Sequence, residues 1–325
     1  MVGTQISTGK GLWRFLLIFL FLGLSFGCDR PTKPPVKVSL ASTKKSAPIL
    51  QDQSNQSKPT LRVAISAIIS PKETFTLYKD LLNYISRKLN VSVKLVQRET
   101  YAEVNNLVKD NELDLAFVCS GAYVGGHDQF GMELLVAPVA YGETVYYSYI
   151  IVPAESTAKS LEDLRHKRFA FSDPMSNTGK LAPTFMLAQL GENIDSFFSK
   201  TIFTYSHDRS IEMVNNSLVD GAAVDSLIWE YINRKNPALT AHTKIIKKSE
   251  PYGIPPVVVP AGLDPTLKEN LRDLFLNLNT DTAGKKILAE LLIDKFIVVD
   301  DHQYDSIRKM QRYGKTCIQS RSTKQ

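Results

Sequence analysis

Arg168–Leu187 reads RFAFSDPMSNTGKLAPTFML. Phe169-Ala170-Phe171 has the composition of a short buried strand. The polar run Ser172–Gly179 is built of residues that bond locally or accept unusual backbone angles, and beyond it the sequence reads as a helix. Gly179 at the helix entry marks a point where the backbone comes close to something, and Pro183 lies near the first turn, where a missing N–H costs least. The Ser176 and Thr178 hydroxyls, the Asn177 amide and free helix N–H groups converge at the positive end of a helix dipole, an arrangement that holds an anion without a lysine. The same residues are also ordinary helix caps, so the stretch alone gives a strand–turn–helix unit and no function.

The rest of the chain repeats that unit. Leu61–Ile69 (LRVAISAII) reads as a buried strand, and Ser70-Pro71-Lys72-Glu73 starts a helix to about Leu89, with Phe75, Tyr78, Leu81, Leu82, Ile85 and Leu89 at helical spacing. Val91–Gln97 alternates as a strand, Tyr101–Lys109 is a helix, and Leu113–Val118 is a third strand ending at Cys119-Ser120-Gly121-Ala122-Tyr123. This order implies a parallel sheet with right-handed crossovers. The Ser70 and Ser120-Gly121 turns set helix starts at the carboxyl ends of strands, the edge where open α/β sheets bind ligands. Farther on, strand Thr201–Tyr205 ends at Ser206-His207-Asp208 before helix Arg209–Leu218. Strand Ala222–Val224 ends at Asp225-Ser226 before helix Leu227–Arg234. No internal sequence repeat is visible.

Residues 163–183, DLRHKRFAFSDPMSNTGKLAP, resemble the signature of the phosphonate/phosphite/phosphate-type periplasmic binding proteins of ABC transporters. The resemblance continues in residues 80–96 (DLLNYISRKLNVSVKLV), 100–124 (TYAEVNNLVKDNELDLAFVCSGAYV) and 203–226 (FTYSHDRSIEMVNNSLVDGAAVDS), and reaches Phe296 and Tyr304 near the end. It implies an α/β fold of the two-lobe, type II periplasmic-binding-protein architecture, with a ligand cleft between lobes joined by two crossing strands. Tyr146–Val152 becomes the first crossing and Pro251–Val259 the return, with helix Thr266–Asn277 packing back on lobe one. Lobe one is then 61–145 plus 258–312, and lobe two is 146–257. The family usually carries Ser-Thr-Ser where this chain has Ser176-Asn177-Thr178. Asn90 and Asn111 stand at family glycines, and Cys119-Ser120 replaces a small residue and a glycine.

By the residues alone, His207 is a helix-entry histidine, and Asp225 and Asp208 are N-caps. The resemblance makes His207 and Asp225 line the cleft and contact the oxyanion or its substituent, with the imidazole gaining basicity beside an anion. The ligand-binding candidates are therefore Ser176, Asn177, Thr178 and Gly179 at the helix entry, His207 and Asp225 opposite, Ser120 and Tyr123 from lobe one, and Tyr78 and Tyr101 as secondary candidates.

The amino terminus carries Lys10 and Arg14, then the apolar run Phe15–Leu24, which has signal-peptide length and is short for a bilayer span. Ser25-Phe26-Gly27-Cys28 resembles a lipobox at Gly27 and Cys28 and departs from it at Ser25 and Phe26. The reading is a lipoprotein signal over 1–28 with an acyl group on Cys28; an ordinary secretion signal or an uncleaved anchor are the alternatives. Asp29 after the cysteine resembles an inner-membrane retention signal. Residues 29–60, rich in Pro, Lys, Ser and Gln, read as a flexible tether, and 313–325 as a disordered tail.

The net charge of +6 sits in these leading segments, since from Leu61 onward basic and acidic residues balance at 31 each. A nucleic-acid partner is thereby disfavoured, while the basic tether suits anionic lipid headgroups. Cys119 and Cys317 match no zinc spacing; they could form one bridge, although Cys119 in an apolar run reads as a buried thiol. The five histidines are scattered, so neither a metal nor a cofactor is expected.

The leading expectation is a monomeric, membrane-tethered binding protein on the periplasmic side of a bacterial inner membrane. It would pass phosphonate, phosphite or phosphate to an ABC permease. The same module reporting to a membrane receptor or kinase is the second expectation. A hydrolase using Ser176, His207 and Asp225 is the third, and the chain has no GxSxG elbow to support it.

Overall fold

A computed structural model describes residues 58–322 of the chain. The signal segment, Cys28 and nearly all of the tether lie outside the described residues. Alternating Leu61, Val63 and Ile65 form β1 (Thr60–Ile65). It stops four residues earlier than expected because Ser66–Ser70 turns, with the Ile68 N–H donating to the Ser66 carbonyl at 2.6 Å. The turn leads into α1 (Pro71–Leu89), which ends at Asn90 in the left-handed conformation (φ 53°), the position a family glycine would fill. Next come β2 (Ser92–Val96), α2 (Tyr101–Lys109) entered through a Thr100/Glu103 capping box, β3 (Leu115–Phe117), α3 (Ser120–Phe130) and β4 (Glu133–Val139).

The chain then passes through β5 (Val145–Tyr146) into β6 (Ser148–Pro153) and β7 (Arg168–Phe171). A π-helical turn over Asn177–Leu181 opens α4 (Ala182–Gln189), followed by α5 (Ile194–Phe197), β8 (Lys200–Phe203), α6 (His207–Asn215), β9 (Gly221–Asp225), α7 (Ser226–Lys235) and β10 (Thr243–Lys248). It returns through β11 (Tyr252–Gly253) to β12 (Val257–Val259), α8 (Pro265–Leu276), α9 (Thr282–Leu291), β13 (Lys295–Ile297) and α10 (Asp305–Ser322). The helix α10 thus runs through most of the stretch expected to be a disordered tail.

Two sheets result, in the orders β13-β4-β12-β3-β1-β2 and β10-β6-β9-β7-β8. In each, one strand pairs in parallel with two neighbours, β1 with β2 and β3, and β7 with β8 and β9. The parallel core is what the sequence predicts. The strands beyond it, β12 against β3 and β6 against β9, are antiparallel because each enters its sheet from the other lobe. The crossings themselves are β5 and β11, which pair antiparallel as a two-stranded ribbon. This is the type II architecture, two lobes joined by two strands.

Side-chain alternation sends each strand to two cores. Val63, Ile65, Phe117 and Val257 pack with Leu81, Ile85, Leu271 and Ile287 on one face of the first sheet. Ala64, Ala116, Val118 and Val258 pack with Val104, Tyr123, Tyr304 and Ile307 on the other. In the second sheet Phe169, Phe171 and Ala223 face Leu164, Leu187 and Phe197, whereas Ala170, Ala222 and Val224 face Ile211 and Val214.

The lobes correspond position by position, although no sequence repeat is visible. Adding 106 to a residue number carries Arg62 to Arg168 and Asp114 to Asp220, and both arginines grip their aspartates through main-chain N–H and guanidinium at a separation of 52 residues. The same shift carries the α2 start, Tyr101, to the α6 start, His207, and the α3 start, Ser120, to the α7 start, Ser226. The repeat shows in single residues at a fixed spacing, several of them identical, and not in a continuous run of sequence.

Candidate functional site

The strand ends that correspond under this shift meet across the lobes. From lobe two, β7 runs out at Phe171 into Ser172-Asp173-Pro174-Met175-Ser176. The Asp173 carboxylate accepts the Met175 N–H at 2.7 Å within its own turn and the Tyr101 N–H of lobe one at 3.1 Å. Ser176 caps the π-helical turn, accepting the Gly179 N–H at 3.0 Å. Gly179 meets the close approach its sequence position implies: a Cβ there would lie 1.9 Å from Ser172 Oγ and 2.9 Å from His207 Cε1. From lobe one, Gly121 at the start of α3 comes equally close, with a Cβ 2.5 Å from the Met175 carbonyl oxygen. The lobes are closed on each other.

Several bonds hold this closure. The His207 N–H donates to the Ile68 carbonyl at 2.9 Å, and the Asn177 N–H to Cys119 Sγ at 3.4 Å. Asp208, expected to be a plain cap, reaches across from the first turn of α6 to accept the Ser70 N–H at 3.0 Å, where α1 begins. A carboxylate from lobe two therefore sits at the start of each of α1 and α2, where helix N–H groups lack partners of their own and the dipole favours negative charge.

Within the closed junction lie buried polar atoms that no protein group satisfies. Among the described residues these include Ser66 Oγ, Tyr101 Oη, Ser172 Oγ, Asn177 Oδ1, Thr178 Oγ1, Ser206 Oγ and His207 Nε2. Buried polar groups are ordinarily paired, so this concentration at facing strand ends and helix starts marks the candidate site. It is also built of corresponding positions, since Ser66 and Ser172 are related by the 106-residue shift, as are Tyr101 and His207. Ser66, Ser172 and Ser206 were not among the residues the sequence singled out; each is a serine at or just beyond the carboxyl end of a strand, the signal that could have found it.

The imidazole of His207 has a fixed role. Nδ1 accepts the Asp225 main-chain N–H at 3.0 Å, which leaves the proton on the buried Nε2. Burial pushes its pKa down to about 3, against the rise expected beside an anion. It is a neutral donor. This bond also separates the residues of the hydrolase expectation: Nδ1 is taken by main chain and not by the Asp225 carboxylate, and Ser176 Oγ is bonded to Gly179.

Asp225 caps α7, with Oδ1 accepting the Leu227 N–H at 2.8 Å, and burial pushes its pKa up to about 7. A carboxyl held toward its acid form repels a neighbouring anion less. Lys180, next to the donors in sequence, turns its ammonium onto the Phe171 ring at 4.3 Å, and burial lowers its pKa to about 8.

The remaining candidates divide. Tyr101 is fully buried with its hydroxyl in the cluster. Tyr78 packs edge-on against Phe117, with centroids 5.3 Å apart, on the wall of a neighbouring apolar cavity. Asn177 is buried in the junction, but its amide nitrogen donates to the Tyr146 hydroxyl on a crossing strand at 3.2 Å. The Ser120 and Tyr123 hydroxyls are engaged away from the donor cluster. The Ser120 hydroxyl donates to the Gly253 carbonyl at 2.7 Å and so ties α3 to the other crossing strand. Tyr123 packs at a tilt against Tyr304, with ring centroids 4.7 Å apart, and donates to Asp301 at 2.6 Å; the long ring carries the hydroxyl into the far core face. Cys119 is a free, buried thiol.

Residues 63–304 match the family described as the periplasmic, phosphonate substrate-binding proteins of ABC transporters. The chain belongs to this family. Among named relatives, a probable ABC transporter phosphite-binding protein of Prochlorococcus marinus is 25% identical over 239 residues, which cover 70% of this chain and 80% of that one. A phosphate-import protein of Mycolicibacterium smegmatis is 28% identical over 209 residues, covering 61% and 65%. The structure of a binding component of an ABC phosphonate transporter from Pseudomonas aeruginosa superposes with a TM-score of 0.76 at 26% identity, over 80% of this chain and 88% of the other. Among the described residues no helix is long and apolar enough to cross a membrane.

Proposed function

We propose that this chain captures a phosphorus oxyanion between its lobes, 61–145 with 258–312 and 146–257, and delivers it to an ABC permease. The supporting observation is the cluster of buried, unpartnered polar atoms at the facing strand ends, from Ser66, Tyr101, Ser172, Thr178, Ser206 and His207. Hydroxyls and a neutral imidazole Nε2–H can surround a tetrahedral anion with donors while adding no charge of their own. Relatives named for phosphite and phosphate fit that chemistry. Calorimetric titration of the full-length protein with phosphate, phosphite, methylphosphonate and sulfate tests it. Binding of a phosphorus species should weaken about tenfold or more in Thr178→Ala and in His207→Ala, the scale of a lost hydrogen bond to a charged group. Equal affinity in wild type and both variants would refute the assignment of the site.

The reading extends to the membrane. Acylation at Cys28, with residues 29–60 as tether, would hold the lobes at the periplasmic face of the inner membrane. The lipobox-like Gly27-Cys28 after an apolar run supports this. Cys28→Ser should move the protein from the membrane fraction to the soluble fraction of its host; retention in the membrane would sink the anchor.

A further inference from the structure

Asp225 ends β9 in lobe two and caps α7, with Oδ1 accepting the Leu227 N–H at 2.8 Å. The residue also lines an apolar cavity of about 110 Å³ between the lobes. Lobe one supplies Ile68, Tyr78 and Phe117 to the walls, and lobe two supplies Leu227, Ile228 and Tyr231. Among the described residues, no lysine, arginine or histidine lines the cavity, and Asp225 is its one carboxyl. The residue is 2% exposed. When the lobes part about β5 and β11, the lobe-one wall leaves and the carboxyl meets water, where it titrates at about 4. In the closed form it has neither bulk water nor a cation, and a carboxyl so placed neutralises rather than stay charged.

The groups around it carry no compensating charge. Tyr78 of α1, Tyr101 of α2 and Cys119 face it from lobe one, and Tyr141 and Tyr146 from before and on the first crossing. Tyr149, His207 and Tyr231 face it from lobe two. Burial raises these tyrosines and the thiol and lowers the imidazole, so all are neutral near pH 7. Asp173 and Asp208 are bonded at the starts of α2 and α1. Glu73, Glu230, Arg234 and the Lys235–Glu290 pair stand outside the cavity wall. We propose that closure over an oxyanion takes up a proton at the Asp225 carboxyl, so that capture tightens as pH falls. This rests on the reading of the donor cluster as the oxyanion site and adds its regulation. Burial pushes the closed-state pKa up to about 7. Between about 4 and 7, therefore, the closed form holds a proton that the open form does not, and affinity rises as pH falls. Above 7 closure buries the bare charge and that gain is lost. The ligand acts in the same direction, since an anion beyond His207 disfavours a second negative charge. The proton leaves when the lobes part, so a rise in pH favours release.

The test is calorimetry on the full-length protein and on Asp225→Asn, with phosphate, phosphite and methylphosphonate as probes. Asparagine keeps the cap on α7 and removes the titration. At pH 6, in two buffers of different ionisation enthalpy, the wild type should take up about one proton more per ligand than the variant. The ratio of wild-type to variant affinity should rise about tenfold or more from pH 8.5 to pH 5.5. That ratio cancels the ligand's own ionisation and that of Asp173, which burial also raises. His207, lowered to about 3, does not titrate in this range. A thermal melt checks that the variant folds. Infrared difference spectra of the wild type at pH 6 need no variant, and should gain a protonated-carboxyl band when the probe binds. Equal proton uptake in the two proteins, a ratio that is flat or rises with pH, or binding without the infrared band overturns the inference and leaves the oxyanion site standing. No binding of any probe from pH 5.5 to pH 8.5 removes the oxyanion reading and the inference together.

Discussion

The histidine shows how far a residue's chemistry depends on what its neighbours leave it. From sequence, His207 beside an anion invites protonation. In the fold, the Asp225 main-chain N–H occupies Nδ1, the ring is buried, and its pKa falls to about 3. The folded value lies below the unfolded one, so this group's contribution to stability is full above about 6.5 and is lost as pH falls toward 3. Across pH 5 to 8 the ring stays neutral and its donor strength constant. Nitrogen-15 NMR of the imidazole should therefore show an Nε2–H tautomer with no titration in that range; a midpoint near 6.5 would contradict the geometry. Gly179 was more legible. A glycine inside a run of capping residues says that a side chain would collide, and only the fold supplies the obstacles, Ser172 and His207.

At the scale of elements, local pattern carried most of the reading. The α2 bounds were legible because Thr100 and Glu103 form a capping box and Lys109 ends the apolar period. Three features were not legible, for distinct reasons. β1 ends at Ile65 although its apolar run continues to Ile69, because Ser66–Ser70 must turn to bring Ile68 against His207. The antiparallel strands β6 and β12 take direction from the crossings, and direction leaves no trace in a strand's own composition. Asp173 read as part of a local turn and Asp208 as a local cap, yet they reach the starts of helices in the other lobe, over 72 and 138 residues of sequence. Capping chemistry is readable from sequence; the helix being capped is not. The partners of Tyr123 and Ser120 were likewise out of reach, since the family pattern marks the position and the side chain's direction depends on Asp301 and Gly253.

For the whole molecule, the junction is a closed state held by a few bonds: His207 to Ile68, Tyr101 to Asp173, Ser70 to Asp208 and Asn177 to Cys119. Each joins groups on opposite lobes, so each is broken when the lobes swing apart about β5 and β11. Cys119, only 2% exposed and capped by the Asn177 loop, reports that motion. A thiol reagent reaches it only from the open form, so its labelling rate follows the open population. Read by peptide mass spectrometry, which separates it from Cys28 and Cys317, labelling should slow under saturating ligand in proportion to occupancy. Asp208→Ala removes a charge-assisted bond made only in the closed state and should speed labelling about tenfold. Circular dichroism should show no loss of helix under the same conditions, which separates opening from unfolding. A labelling rate indifferent to both ligand and Asp208 would mean that Cys119 is exposed by fluctuation within lobe one, and that the carboxylates at the starts of α1 and α2 do not govern closure.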